Sequence, residues 1–124
     1  MVEWRKEVEE KMKLDEYQLA TAKSDTFEIT DELMAPAMME KILGLSGEAG
    51  EVTDKFKKII RDKQGKISEE DREAVVKELG VVMWYVAEIS RYLGVKLSEV
   101  AEKNIEKLES RLARGKLHGE GDNR

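Results

Sequence analysis

Hydrophobic residues recur along three stretches of this chain at alternating intervals of four and three positions, which is the spacing of an apolar stripe on one face of an α-helix. The most regular stripe consists of Met38, Ile42, Leu45, Ala49, Val52, Phe56 and Ile59. Two further stripes run from Val75 to Leu93 and from Ala101 to Leu112. Signals typical of β-strands are absent from the sequence, so these patterns predict an all-α fold.

Glycine and serine residues indicate where the helices begin and end. The glycines that follow the three stripes, and predict C-terminal caps, are Gly65, Gly94 and Gly115. The serines that precede the third and fourth helices, and predict N-terminal caps, are Ser68 and Ser98. We expect a first, less regular helix from about Val2 to Lys23. Pro36 predicts that the second helix begins or kinks near Ala35.

Length and composition limit the architecture. The chain has 124 residues, with 40% hydrophobic residues, 40% charged residues and one proline. This balance favours a single domain of amphipathic helices over residues 1–124, with a non-helical tail from about residue 116. Short connections between the last three helices predict antiparallel neighbours in a four-helix bundle-like unit. A bundle this small often completes its core by pairing with a second copy.

Charge and residue usage exclude several classes of partner. The 27 acidic and 22 basic residues are well mixed and leave a net charge of −5, which argues against binding to a nucleic acid polymer. There is no cysteine, so disulfides and thiolate metal sites are excluded. The sequence contains no run of apolar residues long enough to span a membrane, and its first residues lack a signal-peptide core. We therefore expect a cytoplasmic protein with no membrane partner.

Acidic residues occupy the edge of the predicted apolar faces. Glu48 and Glu51 each stand one position before a stripe residue of the second helix, and Glu78 does so on the third. Three residues rotate a helix by about 300°, so Glu48 and Glu51 lie one turn apart on nearly the same face. Such carboxylates repel each other unless a cation lies between them, and Mg²⁺ prefers oxygen ligands of this kind. Lys55 and Lys58 follow two turns later, so the pattern supplies the acidic and basic groups that a metal-assisted phosphoryl site requires.

A structural explanation of the same residues stays open at this point. Glutamate and lysine at helical spacing usually form a solvated face with weak ion pairs. The equivalent edge of the fourth helix carries Asn104, Lys107 and Arg111. Gly44, Gly47 and Gly50 form a smooth strip inside the second helix, which would permit close helix packing or leave room for a ligand.

Two segments carry a more specific motif. Residues 44–55 have the sequence GLSGEAGEVTDK, and residues 77–85 have the sequence KELGVVMWY. Together they resemble the signature of the MazG-like, all-alpha nucleoside triphosphate pyrophosphohydrolases. The run 104–111, the ending 119–124 and Tyr17-Gln18 are also similar to members of this family, so the resemblance covers nearly the whole chain.

The resemblance implies an activity and a metal site. Members of the family form four-helix units, usually dimeric or tetrameric, and use magnesium to cleave a nucleoside triphosphate to the monophosphate and pyrophosphate; manganese is the alternative ion. Their metal pattern is Glu-x-x-Glu followed later by Glu-x-x-Asp. Glu48, Glu51 and Glu78 match its first three positions and are the expected metal-binding and catalytic carboxylates. The fourth position is Val81, which cannot bind a cation, so we expect impaired activity.

Other residues are candidates for contacts with the substrate or for replacing the missing carboxylate. The expected phosphate-binding residues are Lys55, Lys58, Lys107 and Arg111. Asn104 can hydrogen-bond the sugar or base, and Tyr85 or Trp84 either lines the base pocket or only packs in the core. Glu88 lies about two turns beyond Val81 and Asp54 is aimed away, so neither is a close substitute. We expect His118 to be solvent-exposed.

Three alternatives to this enzyme remain from the sequence. A catalytically inactive homologue would bind nucleotide, or regulate another process, without hydrolysing it. A helical assembly module would bind neither nucleotide nor metal. The third alternative is the related enzyme phosphoribosyl-ATP pyrophosphohydrolase, which only a panel of substrates distinguishes from a nucleoside triphosphate pyrophosphohydrolase.

Overall fold

The computed structural model describes residues 11–27, 30 and 34–124, and these fold into four α-helices. The helices are α1 (Leu14–Ser24), α2 (Met34–Lys63), α3 (Glu69–Tyr92) and α4 (Leu97–Ala113). No strand occurs within those ranges, which confirms the all-α prediction. The predicted part of the first helix before residue 11 lies outside the described residues; residues 11–13 are not helical, so the prediction is wrong there and the helix begins at Leu14. None of the described helices is both long and apolar enough to cross a bilayer.

Helices α2 and α3 form the most extensive packing pair and run antiparallel. The direction follows from a contact near each end of their interface. Close to the connecting loop, Lys63 Nζ lies 2.7 Å from Asp71 Oδ1. At the other end, the backbone of Gly44 on α2 meets the ring of Tyr85 on α3. Side chains along this interface are therefore placed opposite one another on two long, rigid helices.

Most of the predicted helix ends are confirmed. Gly65, Gly94 and Gly115 have φ values of 79°, 70° and 66°, in the left-handed region that suits glycine after a helix. Ser68 caps α3, since its Oγ accepts a hydrogen bond from the Asp71 backbone N–H at 3.2 Å. Helix α2 begins at Met34, which puts Pro36 in its first turn, where a missing N–H costs nothing.

The prediction that Ser98 caps α4 is wrong. The capping position is Lys96, and Ser98 is the second residue inside the helix. Its backbone N–H and hydroxyl donate to the two carboxylate oxygens of Asp15 on α1, at 2.9 and 2.7 Å. These bonds lower the pKa of Asp15. The carboxylate of Asp15, on another helix, thus accepts the hydrogen bond from the start of α4 that a local serine was expected to accept.

Helices α1 and α4 pack against α3, and α4 makes no contact with α2 among the described residues. Gln18 on α1 joins the end of α3 to the start of α4. Its Nε2 donates to the carbonyls of Ala87 and Val95, at 3.3 and 2.9 Å, and its Oε1 accepts from the Leu97 N–H at 3.0 Å. The bundle is therefore built around α3.

The predicted apolar stripes are only partly covered within one chain. The buried apolar residues are Ala37, Ile59, Val75, Ala87, Tyr92 and Leu97. By contrast, Ile105 and Leu112 of the α4 stripe are 52% and 67% exposed, and Ile42 and Phe56 of the α2 stripe are also exposed. Stripes this regular and this exposed are typical of surfaces that another chain covers.

Candidate active site

Three acidic side chains meet on the facing sides of α2 and α3. Glu48 and Glu51 are one turn apart on α2, and Glu78 of α3 lies close enough to Glu48 to interact with it. The pKa of Glu48 is raised, first by partial burial and then by the hydrogen bond and negative charge of Glu78 and the charge of Glu51. Lys55 Nζ lies 3.6 Å from Glu78 Oε1, so a cation from α2 borders the same cluster. We call Glu48, Glu51 and Glu78 the carboxylate cluster.

The chemistry of the carboxylate cluster fits a divalent cation. Its donors are all hard carboxylate oxygens, and the pKa of Glu48 is raised by burial and also by the neighbouring charges of Glu78 and Glu51, a repulsion that a cation would relieve. Within the described residues, no group of three or more histidine, cysteine, aspartate or glutamate side chains is already arranged as a metal site. Convergence on one ion therefore requires rotation of side chains, which partly exposed residues make rapidly.

Val81, at the fourth position of the family's metal pattern, offers no oxygen atom to a metal ion. Val81 lies one turn after Glu78 on α3 and is 38% exposed. Glu88 cannot replace it, because it is fully buried and accepts hydrogen bonds from Arg91 and from Thr21.

Asp54, the other nearby carboxylate, is held by a different set of partners. Its two oxygens lie 3.2 Å from Lys57 Nζ and 2.6 Å from Lys58 Nζ, and these lysines lower the pKa of Asp54. Neither of the two alternative carboxylates therefore reaches the carboxylate cluster.

Two of the predicted phosphate-binding residues lie beside the carboxylate cluster. Lys55 and Lys58 line a cavity of about 170 Å³ between α2 and α3, together with Lys63 and Asp71. Lys55 is also paired with Glu78. Lys55 therefore borders both the carboxylate cluster and the lysine-lined cavity, and we call the two together the groove between α2 and α3.

The other two predicted phosphate-binding residues are placed elsewhere. Lys107 and Arg111 lie on α4, which does not contact α2 in the described chain. The C-terminal tail folds back over them: Arg111 Nη2 donates to the carbonyls of Gly121 and Asp122 at 3.2 and 3.0 Å, and Lys107 Nζ lies 3.3 Å from Asp122 Oδ1. Arg111 is only 6% exposed as a result. Within one chain, these cations and the carboxylate cluster are separate. His118, in the same tail, is exposed as expected.

Asn104 lies at a third location. It belongs to a cavity of about 320 Å³ between α1, α3 and α4, where it is the only polar residue among those that line the cavity. The apolar lining residues are Leu14, Val82, Met83, Val86, Leu97, Val100 and Ala101. An apolar cavity with one amide has the character of a small-molecule pocket.

Tyr85 packs directly on the glycine strip. A Cβ atom added to Gly44 would lie 2.2 Å from Cε1 of Tyr85, so only glycine permits this contact. The ring of Trp84 meets that of Tyr85 edge to face, with 5.0 Å between centroids. A Cβ atom added to Gly47 or Gly50 would meet nothing within 4 Å. The strip thus serves close packing at its first glycine and leaves open surface at the other two, beside the carboxylate cluster.

Sequence reasoning missed a buried ionic cluster next to this site. Lys41 and Glu88 are buried, and Lys41 Nζ lies 3.2 Å from Asp25 Oδ1. A signal was available, since Lys41 and Glu88 stand one position before the stripe residues Ile42 and Ile89, as Glu48 does before its own stripe residue. Spacing alone could not show that the Lys41 and Glu88 side chains are shielded from solvent, whereas that of Glu48 is partly exposed.

Comparison with known proteins identifies relatives of the chain. The family model described as the MazG nucleotide pyrophosphohydrolase domain matches residues 37–114, which include α2 to α4 almost entirely. The chain is also 54% identical over 82 residues to the Gene 37 protein of Mycobacterium phage L5, a match that covers 66% of this chain and 72% of that protein. No solved structure gives a significant match.

Proposed function

This chain belongs to the MazG nucleotide pyrophosphohydrolase family, and we propose that it carries out magnesium-dependent hydrolysis of a nucleoside triphosphate to the monophosphate and pyrophosphate. The observation that carries the proposal is the carboxylate cluster, in which Glu78 of α3 and Glu51 of α2 lie close to Glu48 and, together with burial, raise its pKa. A lysine at the edge of this cluster, Lys55, supplies the positive charge that a phosphate requires.

Each residue of the groove has a role in this reaction. Glu48, Glu51 and Glu78 would hold the divalent cation, Mg²⁺ or alternatively Mn²⁺, which would neutralise phosphate charge and favour attack at phosphorus. A carboxylate of the cluster orients the water that attacks, and pyrophosphate leaves. Lys55 and Lys58 bind phosphate oxygens from the cavity that they line.

The position of α4 leads us to propose a homodimer or homotetramer. Asn104, Lys107 and Arg111 bind the same substrate in this proposal, yet α4 and α2 do not touch within the described chain. The exposed stripe residues Ile105 and Leu112 give α4 an apolar face suited to a second copy, which would bring the two halves of the site together. Arg111 can reach a phosphate only after the tail carbonyls release its guanidinium.

Val81 favours a second candidate function, a nucleotide-binding homologue that has lost most of its turnover. Without a fourth carboxylate, three glutamates and added waters would hold one cation more weakly. The groove would still offer Lys55 and Lys58 to phosphate. Binding without hydrolysis is the result that distinguishes this homologue from the enzyme.

Nucleotide binding tests both candidates at once. We would titrate ribo- and deoxyribonucleoside triphosphates and phosphoribosyl-ATP into the protein with Mg²⁺, and measure pyrophosphate release in parallel. Glu51→Gln should abolish the Mg²⁺-dependent part of binding, whereas Glu109→Gln, an exposed residue on α4, should not change it. Binding of no nucleotide at all, or binding that ignores Glu51→Gln, would contradict the proposed site.

A further inference from the structure

Asp25 and Lys41 form a buried ion pair where three helices meet. The Asp25 side chain, just after α1, is 2% exposed, and that of Lys41, in the second turn of α2, is 4% exposed. Their charged atoms lie 3.2 Å apart. The second oxygen of Asp25 accepts hydrogen bonds from Arg91 Nη2, at 3.1 Å, and from the hydroxyl of Tyr92, both at the end of α3. One carboxylate therefore joins α1, α2 and α3.

Both members of the pair are charged at neutral pH. Burial would raise the pKa of Asp25, but its hydrogen bonding to Tyr92, the Phe27 N–H, Glu88 and Lys41 together outweighs burial and holds that pKa at about 2. Burial would likewise lower the pKa of Lys41, and its contacts with Glu40 and Asp25 raise it instead. A buried pair gains little stability over well-packed apolar residues, because desolvation offsets the attraction. The contribution of the Asp25–Lys41 pair is therefore to fix the position of the Lys41 ammonium group between the helices.

Aromatic rings surround the Lys41 ammonium. Its Nζ lies 5.4 Å from the ring centroid of Phe27, 5.5 Å from that of Trp84 and 5.7 Å from that of Tyr92. A cation at this distance over a ring face is attracted to it, more strongly when both are removed from water. The indole N–H of Trp84 also donates to Ser24 Oγ at 2.8 Å. Trp84 is thus fixed at its face by Lys41 and at its edge by Ser24.

Trp84 passes this constraint on to the candidate active site. Its ring contacts that of Tyr85 edge to face, and Tyr85 packs on Gly44, one turn before Glu48 on α2. We propose that Lys41 is a positioning residue, whose ammonium, held by Asp25, fixes Trp84 and through it the Tyr85 surface that receives the nucleoside. This inference rests on the proposed function, in which Tyr85 lines the base pocket. It predicts that losing the buried charge weakens recognition of the nucleoside and spares recognition of the phosphates.

Two ligands separate these effects. Lys41→Met removes the charge and keeps much of the side-chain volume, and its binding of nucleoside triphosphates with Mg²⁺ is compared with its binding of inorganic tripolyphosphate. Nucleotide affinity should fall about tenfold, as expected when a base–aromatic stacking contact is misplaced, and tripolyphosphate affinity should not change. Lys41→Arg, which keeps a cation over the rings, should recover part of the loss. The control Lys57→Met removes a 67% exposed lysine of the same helix and should leave both affinities unchanged.

Tryptophan fluorescence tests directly whether Lys41 fixes the position of Trp84. In a Trp4→Phe background Trp84 is the remaining tryptophan, so its fluorescence emission should shift in Lys41→Met and stay unchanged in Lys57→Met. Should Lys41→Met fail to fold, Asp25→Asn keeps the shape of the pair and takes its place in each measurement. Equal weakening of nucleotide and tripolyphosphate, or unchanged nucleotide affinity, would overturn the inference alone. A wild-type chain that binds neither ligand would instead overturn the proposed function.

Discussion

Substitution of Gly44 by alanine gives a sharp test of how α2 and α3 pack. The new Cβ would lie 2.2, 2.4 and 2.8 Å from Cε1, Cζ and the hydroxyl oxygen of Tyr85, far inside van der Waals contact. The ring must therefore retreat by about 1.5 Å to reach an ordinary carbon–carbon separation of about 3.5–4.0 Å. It cannot do so freely, because its edge contact with Trp84 would be broken.

The sign of the effect follows from two opposing contributions. Replacing a glycine inside a helix by alanine stabilises it by about 1 kcal/mol. Forcing an extra methyl group into a packed contact typically costs about 1–3 kcal/mol. Because three atoms of Tyr85 are in the way, we expect the cost to dominate and Gly44→Ala to destabilise the protein by up to about 2 kcal/mol.

Neighbouring glycines supply the matched controls. Gly47→Ala and Gly50→Ala add the same methyl group where nothing lies within 4 Å, so they should stabilise the protein by about 0.5–1 kcal/mol. Urea denaturation followed by far-UV circular dichroism measures the free energy of unfolding of all three variants. If Gly44→Ala stabilised the protein as much as its controls do, the contact between Gly44 and Tyr85 would be refuted.

Two further predictions concern the carboxylate cluster and the start of α3. Because the pKa of Glu48 is raised in the folded state, folding loses stability as the pH rises above the ordinary glutamate range. Glu48→Gln should therefore raise the unfolding temperature at about pH 7 without divalent ions, and this gain should disappear below about pH 4; a variant less stable than wild type at neutral pH would contradict the repulsion. Ser68→Ala should cost about 1 kcal/mol in urea denaturation, because its hydroxyl caps α3 through the Asp71 N–H. Ser46→Ala, at an exposed position within α2, should not destabilise, and equal effects of the two serine substitutions would argue against the cap.

Helix positions were predictable wherever the signals are local. The three glycines after the stripes and the serine before α3 act on neighbouring backbone groups, so the sequence alone locates those ends. The prediction that Ser98 caps α4 was wrong because Asp15, 83 positions away, accepts the hydrogen bond from the backbone N–H at the start of that helix. Such a contact depends on how α1 packs beside α4, which no local pattern contains.

The candidate site was predictable to the extent that helical spacing determines it. Spacing places Glu48 and Glu51 on one face of the second helix and Glu78 at the same edge of the third, and the family motif groups the three as one metal pattern. Spacing does not reveal burial, so Lys41 occupies the same kind of position as Glu48 and yet lies in a closed ionic cluster. Nor could it show that the tail covers Arg111, because the carbonyls concerned belong to a segment without periodicity.

The decisive measurement is pyrophosphate release from nucleoside triphosphates with Mg²⁺, for this chain and for Val81→Asp. Val81 is partly exposed and one turn from Glu78, so an aspartate there adds an oxygen ligand without burying a charge. We predict that release appears, or rises by at least about tenfold, in Val81→Asp, because even residues outside the ligand shell change metal affinity or activity by about 10–100-fold. Adding Glu51→Gln to Val81→Asp should remove the gain. If Val81→Asp binds nucleotide but releases no more pyrophosphate than the parent chain, the carboxylate cluster is not an impaired catalytic centre.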